Sequence, residues 1–192
     1  MVQSPNKPPT TEQYFIHSAI NWEEFKTIQN VLAPQGVRVS YLQGEVELLT
    51  VSDLHGLIAG NLGYLLEMYM LEQLIRFVGL EDFSIEIPAT ASAQANKAYC
   101  FEKRKSIPDL AVEVVITGER ATKLKRYAAL HVPEVWFWID SEIHVYRLDE
   151  ETNEYGQTLR SGWLPDLDLQ RLAIASTQEF RADAIQAFMQ RA

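Results

Sequence analysis

The chain has 192 residues, 47% of them hydrophobic and 10% aromatic, which is about the length of one ordinary domain with a sizeable core. Its single cysteine excludes an internal disulfide framework and a cysteine-based zinc site, and this predicts a reducing, cytoplasmic location. With 17 Lys and Arg against 26 Asp and Glu, the formal charge is −9, which by itself argues against binding to a phosphate backbone.

The chain is predicted to form one domain after a short tail. Residues 1–11 are polar, contain three prolines and lack the pattern of a secretory signal, whereas residues 12–192 contain no repeat or linker that divides them. The longest apolar stretch, residues 54–80, is interrupted by charged residues such as Glu72 and Arg76. We therefore expect no membrane span and no membrane partner.

The first half of the chain predicts a helix, a hairpin and a long helix. Asn21 and Glu24 have the spacing of a capping box, which predicts a short helix towards Val31. Alternating residues on both sides of Gln43 and Gly44 predict a hairpin of strands 37–41 and 45–50. Apolar residues at helical spacing then predict a helix over residues 53–77.

The second half predicts strands that alternate with helices. Strands are expected at 83–87, 98–101, 109–116, 135–139 and 143–148, and helices at 120–130 and 178–189. The strand, helix, strand series within them predicts a mixed α/β domain with at least one right-handed crossover. His131, just after the first of these helices, is expected at a left-handed position that glycine occupies most easily.

The segment from Ser106 to Ile116 is the most informative for chemistry. In a strand, Asp109, Ala111 and Glu113 share one face, so that two carboxylates lie along one side of an apolar segment. Burial of carboxylates requires a partner, and a hard divalent cation such as Mg²⁺ is one candidate. The alternative is a half-exposed strand whose polar face meets water.

The helix that follows carries two lysines that flank its apolar face. Lys123 or Lys125 could reach the end of the acidic strand, where an ammonium group can stabilise charge on a phosphorus centre, whereas Arg126 is expected to point away from the core. The alternative for either lysine is an ordinary side chain that extends along the helix flank towards water.

These residues belong to a pattern that resembles a known family. Pro108-Asp-Leu-Ala-Val-Glu-Val114, then Lys123 with Tyr127, then Val132-Pro-Glu-Val-Trp-Phe-Trp138 are similar to the Uma-type family of restriction-endonuclease-like proteins, in the PD-(D/E)XK nuclease superfamily. The resemblance implies a restriction-endonuclease-like α/β core with a mixed sheet flanked by helices, assembled as a homodimer. It also implies hydrolysis of DNA phosphodiester bonds with Mg²⁺ or Mn²⁺ as the cofactor.

The resemblance assigns roles to particular residues. It makes Glu113 a metal ligand, Lys123 the catalytic lysine and Asp109 a further acid in or beside the metal site. Where the family has another metal-binding aspartate, this chain has Asn96, which removes one negative charge from the expected site. The alternative function is therefore a nuclease-fold protein that has lost catalysis and binds nucleic acid or a protein.

Further residues are candidates on weaker grounds. Glu45 and His55 have counterparts in the family, although a turn glutamate and a histidine near a helix start can equally be structural. Lys103, Arg104 and Lys105 lie in the segment from Lys97 to Arg126, whose eight basic and four acidic residues give it a local charge of +4. We therefore expect nucleic acid to bind at this segment, despite the overall acidity.

Two tryptophans have a structural interpretation. Trp136 and Trp138 lie in a strand that is apolar on both faces, and we interpret them as core residues and not as a base-stacking platform.

Overall fold

The computed structural model describes residues 11–81, 84–116 and 120–189. Within these ranges the strands, in chain order, are β1 (Gln13–His17), β2 (Val37–Leu42), β3 (Glu45–Thr50), β4 (Phe77–Glu81), β5 (Ser84–Ile87), β6 (Ala91–Gln94), β7 (Lys97–Phe101), β8 (Leu110–Val114), β9 (Glu134–Ile139), β10 (Glu142–Asp149) and β11 (Glu154–Thr158). The helices are α1 (Trp22–Leu32), α2 (Asp53–Glu72), α3 (Arg120–Ala129), α4 (Leu169–Ala175) and α5 (Arg181–Met189), with a 3₁₀ turn at Ala33–Gln35.

The strands form two sheets. The first sheet has the order β1-β3-β2-β6-β5, and its pairs are antiparallel. The second has the order β11-β10-β9-β8-β7-β4, in which β8 and β9 are parallel and connected through α3. This arrangement confirms the predicted mixed α/β architecture and its strand, helix, strand unit. No helix in the described part of the chain is long and apolar enough to cross a membrane.

The two faces of β8 pack into different cores. Leu110, Val112 and Val114 join the cluster built on α2, whereas Ala111 lies in a cluster with Tyr127 of α3. That second cluster also contains residues of β5 and β6, so α3 is packed between the two sheets. Because α3 is covered on two sides, some of its polar side chains are buried together with its apolar ones.

Several predicted elements are confirmed. The capping box of α1 is formed, since Glu24 N–H donates to Asn21 Oδ1 at 3.0 Å and Asn21 N–H donates to Glu24 Oε2 at 2.8 Å. The β2–β3 hairpin pairs Leu42 with Glu45 across the predicted turn. Trp136 and Trp138 are 0% and 6% exposed and belong to the core, as expected.

The long helix begins at Asp53 as predicted, but its predicted end is wrong. Ser52 caps α2, because its hydroxyl accepts from His55 N–H at 3.2 Å. The helix stops at Glu72, beyond which Leu74 has a φ of 56° and Ile75 N–H donates back to Met70 O at 2.8 Å. Phe77 starts β4 instead, and its ring packs on Tyr99 of β7. Phe77 fits the helical spacing of the apolar residues because α2 and β4 both pack into the same hydrophobic core.

Short strands and one helix were not predicted: β1, β4, β6, β11 and α4. β1 and β11 are mostly exposed edge strands, which show little alternation of apolar and polar residues. Of the predicted strand 83–87, residue 83 lies outside the described residues, and of the predicted tail only residue 11 is described.

His131 has the left-handed backbone that the sequence predicts, with a φ of 56°, and its side chain is exposed. Because a side chain at such a φ costs about 1 kcal/mol, we expect His131→Gly to raise the free energy of unfolding by up to about this amount in urea denaturation. The same replacement at His144, inside β10, should lower it. A loss of stability in His131→Gly would contradict the assignment of strain to this position.

Candidate functional site: a buried polar centre

Charged and polar side chains from both sheets meet on one face of α3. Glu47 comes from β3 of the first sheet, Glu113 from β8 of the second, and Lys123, Arg126 and Tyr127 from α3. Positions 123, 126 and 127 lie on one side of a helix, which explains why these three side chains converge. We call these five residues the polar centre. Each is between 0% and 3% exposed.

In the polar centre, every carboxylate oxygen has a partner. Lys123 Nζ lies 3.4 Å from Glu47 Oε1 and 3.5 Å from Glu113 Oε2. Arg126 Nη2 donates to Glu47 Oε2 at 2.8 Å, and Tyr127 Oη donates to Glu113 Oε1 at 2.5 Å. Two negative and two positive charges are thus paired within one buried cluster.

The protonation behaviour of the centre follows from this pairing. Burial alone raises the pKa of Glu47, but the charges of Lys123 and Arg126, together with hydrogen bonds from Arg126 and Tyr14, lower it from 4.5 to about 2. Burial and the negative charge of Glu113 raise the pKa of Tyr127 well above its usual value. Glu47 therefore stays charged at neutral pH, and Tyr127 remains a hydrogen-bond donor.

A directional chain of hydrogen bonds runs beside the centre. Val114 N–H donates to Asn96 Oδ1 at 2.9 Å, and a backbone N–H can only donate, so the Asn96 atom that faces His55 Nε2 at 2.8 Å is the amide nitrogen. His55 Nε2 must then accept, which places the ring proton on Nδ1, where it faces Glu12 Oε1 at 2.6 Å. The backbone of β8 thereby fixes the tautomer of His55.

The edge strand β1 and the residue before it contribute two side chains to this region, and neither is among the predicted site residues. Tyr14 Oη donates to Glu47 Oε2 at 3.0 Å, and the residue just before β1 is Glu12, whose side chain, like that of His55, is only 1% exposed. Sequence reasoning missed both residues, since β1 itself was not predicted. Their role depends on the pairing of β1 with β3, which local pattern does not reveal.

The structure separates Asp109 from Glu113. Asp109 Oδ2 accepts from Phe101 N–H at 2.8 Å, and its two carboxylate oxygens lie 2.6 and 2.8 Å from Lys105 Nζ. Glu113 bonds to α3 instead, and four residues of strand span about 13 Å. Asp109 lies just before β8 and Glu113 lies near the end of that strand, and the geometry does not support Asp109 as a ligand of the same ion as Glu113.

Lys123 and Lys125 take different positions on α3. Lys123 is buried in the centre, whereas Lys125 is exposed. The expectation that Arg126 points away from the core is wrong, because Arg126 is only 2% exposed and bonds to Glu47. The helical pattern predicted one buried face, but α3 is covered by the first sheet as well as the second.

On β3 it is Glu47, and not the predicted Glu45, that enters the centre. Glu45 is half-buried at the start of the strand, opposite Leu42. A signal for Glu47 was present in the sequence, since this acid stands between Val46 and Leu48 in an apolar strand and must find a partner if it is buried. The structure also brings His55 and Asn96 together beside the centre.

The donor set does not fit the divalent ion that the resemblance implies. Lys123, Arg126 and Tyr127 occupy the oxygens of Glu47 and Glu113, and Asn96 Oδ1 accepts from the backbone. Among residues 11–81, 84–116 and 120–189, no group of three or more His, Cys, Asp or Glu side chains is arranged to hold a metal ion. The positive charges beside Glu47 and Glu113 come from Lys123 and Arg126.

The lowered pKa of Glu47 predicts acid sensitivity. Because the pKa is lower in the folded state, Glu47 contributes about 3 kcal/mol above pH 4.5, and this contribution is lost as the pH falls towards 2. Glu47→Gln should lower the free energy of unfolding at pH 7, by about 3–5 kcal/mol, because Arg126 loses its buried partner.

Urea unfolding from pH 7 to pH 2 measures both effects. The variant should show a shallower loss of stability below pH 4.5 than the unmodified protein, and Glu45→Gln, two residues away, should follow the unmodified protein. Parallel curves for Glu47→Gln and the unmodified protein would contradict the role given to Glu47.

Asn96→Asp tests the direction of the hydrogen-bond chain. A carboxylate at position 96 still accepts from Val114 N–H but cannot donate to His55, so we expect His55 Nε2 to become protonated. The ¹⁵N chemical shifts of the His55 ring should show a proton on Nδ1 alone in the unmodified protein and a proton on Nε2 in the variant. An Nε2 proton already present in the unmodified protein would refute the tautomer assigned here.

Comparison with known proteins gives the family. No curated protein matches the sequence. The chain is similar to the solved structure of a "putative nuclease" from Anabaena variabilis, with 13% identity over 79% of this chain and 91% of that chain and a TM-score of 0.48. The model of the Uma2 family, described as "Putative restriction endonuclease", matches residues 22–175. Since this match runs from the start of α1 to the end of α4 and includes Glu47, Glu113 and Lys123, the chain belongs to the Uma2 family.

Proposed function

We propose that this chain is a nucleic-acid-binding member of its nuclease family whose polar centre serves the stability of the fold and does not hold a catalytic metal. The observation that carries this proposal is the occupation of the Glu47 and Glu113 oxygens by Lys123, Arg126 and Tyr127. The resemblance assigns Mg²⁺- or Mn²⁺-dependent hydrolysis of DNA to the same residues, and that activity is the second candidate.

The burial of the centre also argues against phosphodiester hydrolysis there. A phosphodiester must come within about 3 Å of the groups that act on it, whereas Glu113 and Lys123 are both only 3% exposed. Lys123 lies between two carboxylates as an ion-pair partner of both. The centre as folded therefore offers neither an accessible base nor a free cationic donor to a strand of DNA.

Nucleic acid has an accessible contact elsewhere, on the loop between β7 and β8. Lys103 and Arg104 are exposed there, and Lys105 is partly withdrawn through its ion pair with Asp109. This loop lies at the opposite end of β8 from Glu113, so binding at the loop does not require the centre. The overall charge of −9 limits the contact to this patch and makes it sensitive to salt. The homodimer that the resemblance implies stays a prediction.

A first experiment measures DNA binding. We expect retention of DNA in a gel shift to weaken with salt, and the Lys103→Glu, Arg104→Glu double variant to reduce the slope of log K against log salt by about two. Arg181→Glu on α5 reverses a charge outside the loop and serves as the matched control. Equal DNA binding by the double variant and the control would refute the assignment to the β7–β8 loop.

A second experiment separates binding from cleavage. Calorimetry with Mg²⁺ or Mn²⁺ should show no binding that depends on Glu113, and incubation of supercoiled, linear and single-stranded DNA with either ion should give no more product than Glu113→Gln gives. Metal binding together with cleavage that Glu113→Gln and Lys123→Ala both abolish would overturn the proposal in favour of the metal-dependent endonuclease.

A further inference from the structure

Next to the basic loop, the surface presents a tryptophan that neither the family match nor the sequence patterns assign. Trp163 is 39% exposed, and its ring is stacked on Phe101, the last residue of β7, with centroids 4.8 Å apart and planes 15° apart. Lys105 Nζ lies 5.8 Å from the centre of the same ring. The tryptophan and the basic loop therefore form one continuous surface.

The segment that carries Trp163 is held in place by a buried carboxylate. Ser161 Oγ and Gly162 N–H donate to Glu134 at 2.6 and 2.8 Å, and Glu134 is 1% exposed. The Ser161 hydroxyl in turn accepts from Trp163 N–H at 3.1 Å. Because this network fixes the backbone up to Trp163 and Phe101 stacks on the indole ring, the ring is held in place before any ligand arrives.

A further cation, Arg147, packs against the same segment. The side chain of Arg147, on β10, is 58% exposed, and its Nε lies 3.8 Å from Glu134 Oε2. A Cβ added at Gly162 would lie 2.9 Å from Arg147 Cζ, which shows that the guanidinium group packs directly on this backbone. Arg147 thus packs on the residue before Trp163, Lys105 lies over the Trp163 ring, and Lys103 and Arg104 are exposed in the same loop as Lys105.

We propose that Trp163 is a base-stacking residue and that this surface binds single-stranded nucleic acid in preference to duplex. An exposed aromatic ring among cations suits a strand whose bases are free to stack while its phosphates meet the basic side chains. In a duplex the bases are already stacked within the helix and unavailable to Trp163. This inference rests on the proposed nucleic-acid binding and names its substrate class.

The test compares strands of equal length. Fluorescence titrations with oligothymidylate, oligouridylate and duplex DNA of about 15 nucleotides should show tighter binding and tryptophan quenching for the single strands. Trp163→Leu should weaken single-strand binding about 5- to 100-fold and leave duplex binding unchanged, whereas Trp163→Phe should retain most of the preference. Comparison of oligothymidylate with oligouridylate shows whether the surface prefers single-stranded DNA or RNA.

Controls separate stacking from stability. Phe180→Leu replaces another exposed aromatic ring, 65% exposed, and should bind like the unmodified protein. Thermal unfolding of each variant shows whether it is folded, and the comparison of single strand with duplex on the unmodified protein does not depend on any variant. Equal affinity for single strand and duplex, or single-strand binding that Trp163→Leu does not change, overturns this inference but leaves the proposed function. Failure to retain any nucleic acid overturns both.

Discussion

The structure depends on the need to neutralise two carboxylates that are buried between two sheets. Glu47 belongs to one sheet and Glu113 to the other, and α3 supplies Lys123 to both. Removal of one member of such a group leaves an uncompensated buried charge, which is far more costly than the pair is stabilising. The ion pairs therefore require α3 to lie between the sheets in one orientation.

The same constraint explains the neutral groups around the centre. Tyr127 and Tyr14 donate to carboxylates without adding charge, and Asn96 links the β8 backbone to His55 as an uncharged amide. An aspartate at position 96 would add a negative charge beside two that are already balanced. The uncharged asparagine and the pair of protein cations are thus consistent with each other, because together they leave the charges of Glu47 and Glu113 balanced.

β8 connects the buried polar centre at one end with an exposed basic loop at the other. Towards its C-terminal end, Glu113 is enclosed by α3 and the first sheet, whereas its N-terminal end follows a basic loop beside Trp163. Asp109 belongs to this second end, where it anchors Lys105 and the end of β7. About 13 Å of strand therefore separates Asp109, beside the open basic loop, from Glu113 in the closed centre.

The sequence by itself determined the elements whose signals are local. The α1 capping box, the β2–β3 hairpin and the alternating faces of β8 are dictated by neighbouring residues, and the predicted helix that carries Lys123 follows from its apolar spacing. Only the tertiary structure decided which charges are buried together. Arg126 and Glu47 are 79 residues apart, and their contact depends on a second sheet covering α3, which no periodicity within the helix can reveal. The separation of Asp109 from Glu113 likewise arises because each carboxylate pairs with its own cation and because Asp109 precedes β8, which begins at Leu110.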